Sequence, residues 1–188
     1  MAVIQYSFKL PLRGESPAQE VYIPVFHDWI RTNAITDDVL VDVADYAHVQ
    51  GGPGVLLVCH EGQYVIDRSR GAVGLAYHRR RGVATDDAVE GVAVSLGRLI
   101  RAARLLEVDP RLAGVLAFDT TRLEIRVLDR LRAGNDDAGW AMVAGPLQAA
   151  IATVWAGEVV LERAATDPRQ PLTIHARLPQ RSLTQLVV

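Results

Sequence analysis

A chain of 188 residues, 49% hydrophobic and 22% charged, is long enough to bury a core and lies far from the composition of a disordered protein. A formal net charge of -2 and a pI near 6.2 give no sign of the strongly basic footprint that nucleic-acid binding usually requires, and leave only a local basic patch open. The apolar stretches are broken by charges well before the roughly 20 residues of a membrane span.

Lys9 is the only lysine among 20 basic residues, a bias that base composition of the genome explains more simply than selection for arginine. The single cysteine, Cys59, rules out an intrachain disulfide and fits a reducing compartment. No basic segment followed by an apolar run opens the sequence, so the expected location is the cytoplasm.

In chain order, Ala2 to Leu12 alternates and predicts a first strand. Arg13 to Ala18 is a loop. Tyr22 to Asn33 places Val25, Phe26, Trp29 and Ile30 at helical spacing, with Pro24 suited to the first turn. Val39 to Tyr46 reads as a buried strand interrupted by Asp42 and Asp45, and Gly51, Gly52, Pro53 and Gly54 force a loop after it. Val55 to His60, Tyr64 to Asp67 and Gly74 to Arg80 follow as strands, so residues 39 to 80 predict an antiparallel meander.

Thr85 is the expected cap of a long helix, with Asp86 and Asp87 in its first turn. Val89, Val92, Leu96, Leu99, Ala103 and Leu106 form its apolar stripe, and Asp109-Pro110 ends it. Arg98, Arg101 and Arg104 are expected to solvate one face. Val115 to Phe118 and Leu123 to Leu128 predict a hairpin around Asp119. Asn135 is the expected cap of a helix toward Trp155 that Gly145-Pro146 kinks or splits. Glu158 to Ala165 and Leu172 to Leu178 predict a last hairpin, with Ile174 and Ala176 facing one way and Thr173, His175 and Arg177 the other. The expectation is an α+β fold, antiparallel sheet packed by two long helices and one short one. It forms a single compact domain over residues 1–188, with 1–110 and 111–188 as candidate similar halves.

Asp42, Asp45, Tyr46, His48, Gly51-Gly52-Pro53-Gly54, His60-Glu61, Tyr64 and Asp67, with Leu123-Glu124-Ile125 and Asp129-Arg130-Leu131, resemble a family of uncharacterised bacterial proteins. The resemblance implies a bacterial cytoplasmic protein and brings no activity, cofactor or residue role.

Phosphate-loop, dinucleotide-loop, nucleophile-elbow and metalloprotease motifs are missing. The polar density around the glycine loop therefore defines the expected site: His48, Gly51, Gly52, Gly54, His60, Glu61 and Tyr64 for a polar or anionic ligand. The amides of such a loop form a nest for negative charge, helped by a histidine or an arginine. Asp45, His48 and His60 are the candidate metal ligands. The competing reading makes these residues a hydrogen-bonded turn. Cys59 is expected to be buried and His78 to Arg81 to be a solvated basic run. The C-terminal run Leu183, Leu186, Val187 and Val188 suggests a surface that a partner or a second copy covers. Two functions follow: a non-catalytic binding or assembly protein, and a small enzyme built on His48, His60 and Glu61.

Overall fold

The computed structural model describes residues 4–46, 48–69, 71–80, 87–164 and 167–188. Its strands are β1 (Tyr6–Pro11), β2 (Leu40–Asp45), β3 (Val55–Cys59), β4 (Gly62–Asp67), β5 (Gly74–Arg79), β6 (Arg122–Val127), β7 (Val160–Arg163) and β8 (Thr173–Arg177). Its helices are α1 (Tyr22–Thr32), α2 (Ala88–Val108) and α3 (Asp137–Trp155). The strands form one sheet of eight in the order β2-β3-β4-β5-β1-β6-β8-β7, every pair antiparallel. The α+β expectation and the meander hold.

Both candidate halves follow one path through this sheet. β1 and β6 lie side by side at its centre. Each leads into a helix, then to an edge strand, then back inward. The first half returns through β3, β4 and β5, and the second through β8 alone. Because β1 pairs with β6, the halves share one sheet.

The period-two alternation of the strands sorts side chains onto two faces. Tyr6, Phe8 and Leu10 of β1 join Leu57, Tyr77, Ile125 and Ile174 in the main core. α1 lies against β2 and β3, α2 against β5 and β1, and α3 against β7 and α2. Leu96, Leu99 and Leu106 of α2 are fully buried, each a contribution of about 1.5–3 kcal/mol. The opposite face carries no helix among the described residues. It holds a small apolar cluster of Leu56, Val65 and Ala76 and, across β1, β6 and β8, a field of polar side chains. Among the described residues no helix is long and apolar enough to cross a membrane.

Several expectations change. β2 is an edge strand, not a buried one, and Val41 is 58% exposed. Its ladder with β3 is irregular between Leu40 and Asp42, and that bulge, with exposed Asp42 and Asp45, blunts the edge against pairing with another chain. Val115 to Phe118 forms no strand: Leu112, Ala113, Val115 and Leu116 donate to carbonyls three or four residues back, and only Phe118 bridges to Leu12. The hairpin partner of β6 is therefore absent, and β1 and β8 flank it instead.

Asp87 caps α2, accepting from the amides of Val89 and Glu90. The expected cap Thr85, with Asp86, lies outside the described residues, as do Ala2, Arg81 and Ala165. Asp136, not Asn135, caps α3 through the Gly139 amide. Asn135 instead donates its side-chain amide to the Asp167 carbonyl. Pro146 sits inside α3 without splitting it. Within the C-terminal run Leu183 and Leu186 are buried and Val187 and Val188 are exposed, and Arg104 donates to the carbonyls of both leucines.

Candidate functional site

The residues expected to converge are divided between the two ends of the β2–β3 ladder. Asp45 pairs with Val55 at one end and Leu40 with Cys59 at the other. Five strand residues span about 16 Å. His48 and the glycines follow the first end, and His60 and Glu61 follow the second. Asp45, His48 and His60 therefore do not meet, and the described residues contain no group of three or more His, Cys, Asp and Glu side chains arranged to hold a metal ion.

At the first end the chain folds tightly on itself. The Tyr46 amide donates to the Gly54 carbonyl, Val49 to Tyr46 and Gly52 to Val49, at 2.9–3.0 Å. Gly54 has φ +87°, and a Cβ there would lie 2.5 Å from both the Gln19 amide nitrogen and the Ile66 carbonyl oxygen, so no other residue fits. A shallow recess of about 250 Å³ is lined by Gln19, Tyr46, Gly51, Gly52, Gly54 and Arg68. His48 stacks on the Tyr46 ring at 6.3 Å and does not line the recess. Gln19 and Arg68 come from other parts of the chain, and the sequence reading missed them.

At the second end lies an ion network under α2. Arg98, 5% exposed, reaches Asp37 at 3.3 Å, Asp38 at 3.2 Å and Glu61 at 3.0 Å. It also donates to the Tyr77 hydroxyl at 2.8 Å and the Asp37 carbonyl at 2.7 Å. Arg79 pairs with Glu61 at 3.0 Å, and Arg101 with Asp37. Asp38 further accepts the amides of Val39 and Glu61. Burial opposes the charge on Arg98, but the Tyr77 hydrogen bond and the Glu61 and Asp38 carboxylates outweigh it and raise its pKa. Gly62 makes the geometry feasible, since a Cβ there would stand 2.6 Å from the Tyr77 hydroxyl.

A cleft of about 410 Å³ opens beside this network, lined by Asn33, Thr36, Asp37, Asp38, His60 and Glu61. It does hold His60 and Glu61. The carboxylates of Glu61 and Asp38, however, are held by arginines and amides, an arrangement that fixes the connection before β2 to the helix layer. Tyr64 lines neither cavity. It is fully buried against Tyr77, ring centroids 4.9 Å apart, and burial raises its pKa. Cys59 is buried as expected, its thiol pushed up to about 12 by burial and then by the Asp38 charge.

A further recess lies elsewhere, on the helix-free face. It has about 330 Å³ and is lined by Lys9 of β1, Arg122 and Glu124 of β6, His175 and Arg177 of β8, and the β4–β5 connection at Gly71 and Ala72. Lys9 faces Glu124 across the β1–β6 ladder, and Glu124 faces His175 across β6–β8. Lys9 is 3% exposed and its Nζ stands 3.1 Å from Asp67. Burial works against the Asp67 charge, but the Ser69 hydrogen bonds and then Lys9 outweigh it and lower its pKa. The sequence signal was there in part: alternation put His175 and Arg177 outward, but which strands lie beside them depends on the sheet order.

No family model, curated protein or solved structure matches this chain.

Proposed function

We propose that this is a non-catalytic binding protein whose binding surface is the helix-free face of the sheet, at the recess over β1, β6 and β8. One observation carries the reading: a nearly fully buried Lys9, paired with Asp67, at a cavity lined by Arg122, Glu124, His175 and Arg177. Burying an ammonium group is costly unless it is paired. Placing one beside a cavity on rigid strands provides a fixed charge for a ligand. The enzyme reading draws less support, because Glu61 and Asp38, which line the cleft with His60, are engaged by Arg79, Arg98 and backbone amides. A carboxylate serves as a general acid or base only where it can reach a reacting proton. The one buried thiol fits a reducing compartment, and we place the protein in the cytoplasm on that ground.

A thermal-shift panel of small acids, bases, sugars and nucleotides tests this. At least one compound is expected to raise the melting temperature and to be recovered chemically unchanged. His175→Ala, at an exposed position, should abolish that rise without lowering the melting temperature of the unliganded protein. A compound that stabilises wild type and this variant equally, or that is consumed, contradicts the reading.

A further inference from the structure

The wall of this recess contains a pairing that the fold alone does not favour. Arg122 and Arg177 are direct cross-strand partners in the β6–β8 ladder, and both line the cavity. Like charges directly opposite one another weaken a sheet. Each guanidinium is moderated by an acid of its own, Arg122 by Asp119 and Arg177 by Glu162, both at 2.7 Å. The two arginine side chains are 62% and 71% exposed, so these are surface pairs of the kind that hold loosely. One strand over, Lys9 adds a third positive charge, its own partner Asp67 being on the far side in β4. Among the described residues Glu124 is the one acid lining the cavity.

We infer that this cavity binds the oxyanion of a small ligand, a carboxylate or a phosphate group, between the Arg122 and Arg177 guanidiniums with Lys9 beside them. The inference rests on the reading of the helix-free face as the binding surface. Arginine forks bind such groups through two parallel hydrogen bonds, and a paired fork cancels the repulsion that the cross-strand arginines suffer without a ligand. Glu124 and His175, the next row of the sheet, are placed to receive a hydroxyl or amino group adjacent to the oxyanion. The volume matches the lower end of the range of small-molecule sites.

Lysine carrying 13C at Cε, supplied during expression, gives a single side-chain signal, because Lys9 is the only lysine. The probes are inorganic phosphate and succinate, at constant ionic strength. One of them is expected to shift the Lys9 signal saturably, and the one that saturates at lower concentration identifies the oxyanion. Arg122→Gln and Arg177→Gln, both exposed, should each weaken that binding at least tenfold with the fold unchanged. A shift that potassium chloride reproduces is screening of the Lys9–Asp67 pair and overturns the inference, as does undiminished affinity in both variants. If neither probe moves the signal but a neutral or cationic compound does, the oxyanion is wrong and the binding face stands. If nothing moves it, both fall.

Discussion

Arg98 and Asp38, sixty residues apart in sequence, meet at 3.2 Å beneath helix α2 with side chains 6% and 1% exposed. Arg98→Ala would leave Asp38 buried without its guanidinium and Glu61 with Arg79 alone. Removing one partner of a buried pair costs about 3–5 kcal/mol, and urea denaturation should show a loss of that size. A loss below about 1 kcal/mol would mean that water replaces the guanidinium freely and that the network does not hold the segment before β2.

The apolar stripe of α2 makes a simpler prediction. Leu96 and Leu99 are fully buried in the main core. Leu96→Ala and Leu99→Ala should each cost roughly 2–5 kcal/mol in the same assay. Values under about half a kcal/mol would show the helix face to be exposed.

Much of this was legible beforehand. The stripe of α2, the meander and the outward set of the last strand follow from periodicities of 3.6 and 2 that local sequence carries. Arg98 did not read as buried, because Arg101 and Arg104 share its spacing and suggested a wet face. A signal existed: Gly91, Ser95 and Ala102, at helical steps around Arg98, are small, and all are buried. Only a close-packed helix side tolerates such a row. The division of the expected site could not be read, because it depends on which ends of two paired strands the two histidines follow. Val115 to Phe118 is apolar enough for a strand, but nothing local reveals that β1 and β8 already flank β6.

His78 supplies a pH dependence. It lies on the helix-free face between Ser7 and Gln63, and its Nδ1 stands 3.3 Å from the Gln63 amide. Burial lowers its pKa from the usual 6.5 to about 4, against Asp67, which raises it, while Arg126 and Lys9 lower it further. The unfolded chain takes up the proton first as pH falls. The stability tied to neutral His78 is therefore complete above about pH 6.5 and is lost progressively toward pH 4. His78→Gln should flatten the stability profile in that window. Parallel profiles for variant and wild type would contradict the assignment.

Cys59 should be inert in the folded protein. Its thiol, pushed up to about 12 by burial, carries almost no thiolate at pH 8. Iodoacetamide at that pH should leave the native protein unmodified over hours and alkylate it in guanidinium chloride. Rapid native alkylation would show the β3 end of the sheet to be open.

The central claim is that ligands meet this protein on the face its helices leave bare. An amide chemical-shift map of the best binder from the thermal-shift panel tests it most directly. The account predicts saturable shifts clustered at Lys9, Glu124, His175 and Arg177, with Asp38, His60 and Gly51 to Gly54 unmoved. Shifts concentrated at Asp38, His60 and Glu61, or at the glycine loop, with Lys9 and His175 silent, would contradict it.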